Sequence, residues 1–219
     1  MLRLSSTVLE EFRKVCETEY AREEDLIASI KGEPGRDVWQ MRAGWAFHRA
    51  MEGKPYDAIE EACTPIIVKY GDFWFSTEQL DKARKLRPAK AWVREFKRTA
   101  IIGDVELVAK VDLIVGADIH DFKARFSPVG ASDYDPSLQW RSYLHVHEAR
   151  SFTYHLFEFY KPDGGNFLKI DKYHSFTYWP YSHLEAELAG WISRFKEWAA
   201  GRELIPFLEK RHEMASDQR

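Results

Sequence analysis

The sequence has few cysteines and no long apolar run. Only Cys16 and Cys63 occur among its 219 residues, and two cysteines cannot form a disulfide framework or a four-cysteine metal or iron-sulfur site within the chain. No run of about 18 apolar residues is long enough to cross a membrane, and the opening stretch MLRLSSTVLEEF turns polar too early for a secretory signal. We therefore expect a soluble, cytoplasmic protein without an iron-sulfur cluster.

A strong net charge is also lacking. The formal net charge is -3 and the isoelectric point is near 6.3, which argues against a protein that coats nucleic acid through bulk charge but is compatible with a local basic groove. The stretch DKARKLRPAKAWVREFKR is either such a groove or the solvated face of a helix and its exit. Its cationic side chains are Lys82, Arg84, Lys85, Arg87, Lys90, Arg94, Lys97 and Arg98.

The pattern of apolar residues predicts a helical first part. With 45% hydrophobic residues the chain can form one sizeable core, and we expect a single domain over residues 1–219. Residues 1–90 are predicted to be mainly helical. On one predicted helix, a stripe of four residues is expected to face inward. The stripe consists of Val38, Met41, Trp45 and His48.

From Trp92 the pattern changes to alternation. WVREFKRTAII, VELVAKVDLIV and DIHDFKA are separated by Gly103-Asp104 and Gly116-Ala117, which predicts three strands joined by tight turns. A helix over about 135–148, a hairpin of FTYHLFEFY and FLKIDKYHSFTYW, and a C-terminal helix within residues 181–219 complete the order. The predicted fold is α/β or α+β, with helices flanking a mixed central sheet over residues 91–180.

Charged side chains interrupt the predicted sheet. In a strand, side chains two apart share a face, so Asp121 and Lys123 point the same way and Phe122 points into the opposite layer. A turn near Gly116 would bring Asp112 alongside Asp121. Two neighbouring carboxylates repel each other, and oxygen ligands suit Mg²⁺ or Mn²⁺, so the pattern predicts a divalent metal site. Lys123 beside it would offset negative charge on a phosphate, which indicates metal-assisted phosphodiester hydrolysis.

A simpler interpretation exists for the Asp-x-Lys tripeptide. Such tripeptides arise by chance, and Glu95-Phe96-Lys97 has the same form in this chain. A pair of this kind at a sheet edge that faces water needs no metal. The surrounding sequence distinguishes the two interpretations.

Five short motifs in order resemble the PD-(D/E)XK nuclease superfamily, and within it the RecB-like exonucleases, including the CRISPR-associated RecB-like exonuclease. The resemblance extends from about Leu4 to Tyr160. It implies a restriction-endonuclease-like core with an N-terminal helical extension. The motifs are LSSTVLEEF, GWAFHRAME with His48, VAKVDLIV with Asp112, IHDFKA with Asp121, Phe122 and Lys123, and YDPSLQWRSYLH with Gln139 and Tyr143.

The resemblance implies a role for each motif residue. Asp112 and Asp121 would bind the metal through their carboxylates, and Phe122 through its main-chain carbonyl. His48 would bind a metal from the neighbouring helix, although a lone inward histidine is more often a hydrogen-bonded core residue. Lys123 would be the catalytic lysine.

Four further residues are candidates for contact with substrate. Gln139 and Tyr143 lie four apart on one helical face, where they either support the catalytic site and the substrate backbone or simply pack a helix on the sheet. Lys110 replaces the glycine that usually stands two residues before the first aspartate of the family, and adds a cation to that strand. Arg141 is a further candidate for substrate binding.

The resemblance implies a Mg²⁺-dependent exonuclease, with Mn²⁺ as a substitute, that acts on DNA in recombination, repair or phage DNA processing. The four cysteines of the iron-sulfur members are missing, so that subgroup is excluded. No helicase-like segment is attached, so a helicase or recombinase partner would be a separate chain. Two alternatives stay open: a nuclease-derived module that binds DNA or a protein without cutting, and an unrelated α/β domain, which a large distance between His48 and the aspartates would favour.

Overall fold

The structure is a computed structural model that describes residues 1–34, 36–86, 88, 93–161 and 165–209, apart from the side chains of residues 93–95. Within those residues the chain forms nine strands, six complete α-helices and one short 3₁₀ helix at Ala131–Asp133, and residues 205–209 are also helical. The strands are β1 (Leu2–Ser5), β2 (Ala58–Glu60), β3 (Ile67–Tyr70), β4 (Phe73–Ser76), β5 (Val93–Ile102), β6 (Val105–Val115), β7 (Asp118–Arg125), β8 (Ser151–Tyr160) and β9 (Phe167–Tyr178). The helices are α1 (Ser6–Glu17), α2 (Glu23–Lys31), α3 (Trp39–Met51), α4 (Thr77–Lys85), α5 (Leu138–His147) and α6 (Leu184–Ala200).

The strands form one mixed sheet in the order β1-β6-β7-β8-β9-β4-β3-β2, and β5 pairs with the other edge of β6. The antiparallel turns of β5–β6–β7 are made by Gly103 and Gly116, whose φ angles of 61° and 62° lie in the left-handed region that favours glycine. β8 and β9 form the second predicted hairpin. The prediction of a mixed α/β fold with helices flanking the sheet is confirmed.

Two apolar cores cover the two faces of the sheet. Alternate residues of β8 divide between them: Tyr154 and Leu156 join the core with α1, α5 and α6, while Phe157 and Phe159 join the core with α3 and α4. A strand buried on both faces has a nearly continuous apolar sequence, which explains the run in β8. We call these the α5 core and the α3 core.

The first 90 residues contain more sheet than the sequence predicts. Four short strands, β1 to β4, lie there beside four helices, so the prediction of a mainly helical N-terminal part is incomplete. Strands of three or four residues are too short to show a clear alternation. β1 is parallel to the start of β6, with Leu2 opposite Val105 and Ser5 opposite Val108.

The predicted inward stripe of α3 is wrong. Met41 is 49% exposed and Trp45 is 66% exposed, whereas the buried face contains mainly alanines and Phe47, whose ring centroid lies 5.0 Å from that of Phe157. Small side chains let the helix approach the sheet closely, and a pattern that weighs only large apolar residues misses them. His48 is at the boundary of this face and is half-buried.

The predicted C-terminal helix corresponds to α6, and residues 210–219 of that prediction lie outside the described residues. In the part of the chain that the structure describes, no helix combines the length and apolar character needed to span a membrane.

Candidate active site

A gap beside β6 orients Asp112. One edge of β6 pairs with β1 as far as Val108 and with β7 only from Leu113 to Val115, so the stretch between them has no strand neighbour on that edge within the described residues. Where the pairing with β7 stops, the Oδ2 atom of Asp112 accepts the main-chain N–H of Phe122 at 3.0 Å. The carboxylate therefore takes the place of a main-chain acceptor and is turned toward β7.

Asp121 and Lys123 form a close pair on β7. Asp121 is 2% exposed, and its Oδ1 accepts a hydrogen bond from Lys123 Nζ at 3.1 Å. The Oδ2 atom is 2.8 Å from the same Nζ, but it is buried and accepts no hydrogen bond of normal geometry. Phe122 points into the α3 core, where it stacks on His155 at 4.9 Å between ring centroids. The predicted alternation of these side chains is confirmed.

The pair has unusual electrostatics. Burial raises the pKa of the Asp121 carboxyl, and the charge of Asp112 raises it further, whereas Lys123 and His48 act against both effects. Burial also disfavours the charged form of Lys123, but the two carboxylates outweigh it and raise the pKa of its ammonium group. Lys123 is therefore protonated at neutral pH. In this form it can stabilise negative charge and donate hydrogen bonds.

His48 reaches the two aspartates from α3. Its Nδ1 lies 3.7 Å from Asp112 Oδ2, and α3 contacts β7 directly. The short distance between His48 and Asp112 argues against the alternative that this protein is an unrelated α/β domain with an Asp-Lys pair on its surface. Over the described ranges of the chain, no group of three or more histidine, cysteine, aspartate or glutamate side chains is arranged so that it could hold a metal ion.

Gln139 and Tyr143 lie next to Asp121 on the α5 side of the sheet. Gln139 Nε2 donates to Tyr143 OH at 3.1 Å, and Gln139 Oε1 accepts from Tyr154 OH at 3.3 Å. Burial and the negative charge of Asp121 raise the pKa of Tyr143 to about 12, so its phenol stays protonated. The prediction that Gln139 and Tyr143 share one face of the helix is confirmed. Tyr154 also belongs to this group, but the sequence did not indicate it, because it lies in a strand of buried apolar and aromatic residues.

A buried glutamate joins α1 to the start of α5. Glu10 Oε2 accepts the N–H of Leu138 at 2.7 Å, across 128 positions of the sequence. Two nitrogens of Arg13 donate to the same carboxylate at 2.8 and 3.1 Å. This contact fixes the helix that carries Gln139 and Tyr143. The motif LSSTVLEEF contains Glu10, but no local pattern indicates that its carboxylate reaches α5.

Two predicted substrate-binding residues have other surroundings. Lys110 is exposed and faces Lys97 of β5 in the strand register. Arg141 donates to main-chain oxygens of Asp135 and Ser137 at 2.7 and 2.8 Å, and its Nε is 3.1 Å from Glu187 Oε1. The described contacts of Arg141 thus fasten α5 to α6 and to the preceding loop. A role of either residue in substrate binding stays a prediction.

The basic stretch is partly a solvated helix face. Lys82 pairs with Glu78, and Arg84 pairs with Asp81 on α4. Farther along, Arg98 donates to the main-chain oxygen of His147. Arg87, Lys90 and the side chain of Arg94 lie outside the described residues.

Two histidines on the α3 side of the sheet belong to a series of hydrogen bonds that the sequence did not indicate. His120 Nδ1 and His155 Nε2 are 3.0 Å apart, and His155 Nδ1 is 2.7 Å from Tyr173 OH. Burial, together with the neighbouring His120, lowers the pKa of His155 to about 4. Burial also lowers the pKa of His120, against the opposing charge of Asp118. Both imidazoles are therefore neutral at pH 7.

We expect the His155 side chain to make folding sensitive to mild acid. Below about pH 6.5 an unfolded chain binds a proton on this histidine, whereas the folded chain resists the proton until about pH 4. The neutral His155 therefore contributes fully to the free energy of unfolding above pH 6.5. This contribution, on the order of 3 kcal/mol, is lost as the pH falls toward 4. Urea unfolding at several pH values should show a smaller loss for His155→Phe than for the wild type. The exposed His183→Ala variant should follow the wild type, and parallel curves for all three proteins would contradict the prediction.

No family model matches the chain, and no curated protein matches it in sequence. Among solved structures, the chain is similar to an alkaline exonuclease (LHK-Exo) from Laribacter hongkongensis, with 14% identity, a TM-score of 0.49, and coverage of 99% of this chain and 95% of that chain. The complex of LHK-Exo with dAMP gives the same identity and TM-score, with coverage of 99% and 94%. The structure of SSO0001 has 14% identity and a TM-score of 0.46, with coverage of 88% of this chain and 74% of that chain.

Proposed function

We propose that this protein is a metal-dependent deoxyribonuclease of the PD-(D/E)XK type, a RecB-like exonuclease that hydrolyses phosphodiester bonds of DNA. The observation that carries the proposal is a series of contacts at the gap between β6 and β7. His48 lies near Asp112, Asp112 accepts the Phe122 N–H, and Lys123 pairs with Asp121. Asp121 is buried, and a buried charge is costly and has no evident role in folding, since an apolar residue there would be at least as stable. DNA in recombination, repair or phage DNA processing would be the substrate, in the cytoplasm, with any helicase or recombinase as a separate chain.

The donor atoms at the gap are of the chemical types that a hard divalent cation prefers, although the side chains that the structure describes there are not gathered around one point. Mg²⁺, or Mn²⁺ as a substitute, would be held by the carboxylates of Asp112 and Asp121, the main-chain carbonyl of Phe122 and the imidazole of His48. The buried Oδ2 of Asp121, which accepts no hydrogen bond of normal geometry, has unused capacity for such a cation. When bound, the cation would supply Lewis acidity toward a phosphate oxygen and toward water.

The remaining chemistry would come from the chain itself. The ammonium group of Lys123 would stabilise the negative charge that develops on the phosphate. The hydrogen bond from Phe122 N–H fixes the orientation of Asp112. Gln139 and Tyr143, held by α5, would position the substrate backbone, because their polar atoms face the same side of the sheet as Asp121.

A second candidate is a nuclease-derived module that binds DNA or a protein without cutting. One observation favours it: in the described part of the chain, Asp121 is paired with Lys123, and three side-chain ligands are not gathered around a single point. A retired site has no physical reason to keep all four side chains, so the enzyme stays the first candidate.

The test uses end-labelled linear DNA and circular DNA with Mg²⁺, Mn²⁺ or a chelator. We expect linear DNA to be degraded only with a metal, and circular DNA to persist. Asp112→Asn should lower activity by roughly 10²-fold or more, because the amide keeps the hydrogen bond with Phe122 N–H but is a poor metal ligand. Asp118→Asn is the matched control, since Asp118 lies on the same hairpin but bonds Arg150 and Ser151 instead. Binding of DNA without cleavage under every condition would support the second candidate.

A further inference from the structure

Arg125 extends the row of functional side chains on β7. It follows Lys123 by two residues, so Asp121, Lys123 and Arg125 point to the same face of the sheet. Its register neighbour on β8 is Glu158. The side chain is partly buried, and its Nε atom is buried without a hydrogen-bond partner.

The neighbouring carboxylate does not compensate Arg125. Glu158 Oε1 accepts the N–H of Val129 at 2.9 Å and lies 3.0 Å from His174 Nε2, and Oε2 is 3.9 Å from Lys172 Nζ. Glu158 is thus engaged by a loop and by β9. Arg125 has instead an aromatic contact, with its Cζ atom 5.8 Å from the ring centroid of Tyr134.

Tyr134 connects Arg125 to the candidate active site. Burial raises the pKa of its phenol, while Arg125 and Lys123 oppose that rise and Asp121 adds to it. The two cations therefore act on the same phenol. A guanidinium group with an unpaired buried donor, next to a second cation, is unfavourable unless an anion binds between them.

We propose that Arg125, together with Lys123 and Tyr134, forms a phosphate-binding subsite for the DNA strand beside the scissile bond. The inference rests on the proposed function, because it places a substrate phosphate next to Lys123. The planar guanidinium matches the oxygens of a phosphate and would complete the hydrogen bonding of Nε. Arg125 acts here as a binding and positioning residue.

The test measures binding of a labelled oligonucleotide by fluorescence anisotropy in a chelator, at several salt concentrations. Arg125→Gln should weaken binding by roughly 10- to 100-fold, the range expected for hydrogen bonds to a charged group. The slope of log affinity against log salt should fall by about 0.7 on single strands or about 0.9 on duplex, which corresponds to one phosphate contact. Arg125→Lys should keep the slope, because the charge is retained.

Arg194→Gln is the matched control, since Arg194 also lies over an aromatic ring, at 4.2 Å from Trp191, but is on the exposed face of α6. An unchanged slope and affinity in Arg125→Gln would overturn the inference, and so would an equal effect of Arg194→Gln. Because no metal or cleavage is involved, these outcomes are separate from the nuclease test. If the wild type cuts DNA and the Arg125→Gln variant binds DNA with normal affinity, only the subsite is refuted. If Arg125→Gln weakens binding as expected but the wild type does not cut DNA, only the proposed nuclease activity is refuted.

Discussion

Replacing Lys123 by methionine is expected to lower the rate of DNA cleavage by roughly 10²- to 10⁴-fold. The ammonium group is protonated at neutral pH because Asp121 and Asp112 raise its pKa. Methionine has a similar length but cannot carry the charge, so the charge on the phosphate would lose its stabilisation. Single-turnover cleavage of end-labelled linear DNA with saturating metal measures the effect.

Lys172→Met is the control for the loss of Lys123. Lys172 is exposed on β9, with its Nζ atom 3.9 Å from Glu158 Oε2. Its ammonium group is more accessible to water than that of Lys123. We expect this variant to cut at nearly the wild-type rate. Cleavage by Lys123→Met within about threefold of the wild type, in a protein with a normal circular dichroism spectrum, would exclude Lys123 from the catalytic step.

Replacing Glu10 by alanine is expected to lower the free energy of unfolding by about 3–5 kcal/mol. Glu10 is 7% exposed, and its removal leaves the buried guanidinium of Arg13 with only one good carboxylate partner, Glu17. It also deprives the N–H of Leu138 of its acceptor. Urea unfolding followed by circular dichroism measures the loss.

Glu17→Ala tests the same guanidinium from its exposed side. The Glu17 side chain is 41% exposed, and the loss of such a pair should cost less than about 1 kcal/mol. Equal costs for the two variants would mean that the link between Glu10 and α5 contributes little to folding. A loss of cleavage in Glu10→Ala at a temperature where it remains folded would follow from a looser α5.

Local patterns were sufficient to predict the central hairpins. Glycines at positive φ and alternating apolar residues determine β5, β6 and β7 without reference to the rest of the chain. The same alternation placed Asp121 and Lys123 on one face. That these two residues meet Asp112 follows from the short turn at Gly116, which is also local.

Features that depend on distant contacts were not predictable. Short strands such as β1 gain their hydrogen bonds from β6, about a hundred residues later, and carry little pattern of their own. The orientation of α3 depends on which face meets the phenylalanines of β8, so a helix with apolar residues on two faces is ambiguous. The contact of Glu10 with Leu138 and the pair of His120 with His155 each join elements that only the fold brings together.

The position of β1 has a consequence for protein engineering. Residues 2–5 form a parallel strand along one edge of β6. The unpaired stretch beside Asp112 lies on that same edge, directly after the end of this pairing within the described residues. Shortening the chain by these residues would extend that opening and expose a row of main-chain donors and acceptors to water or to another sheet edge. Engineered variants should therefore keep residues 2–5 intact.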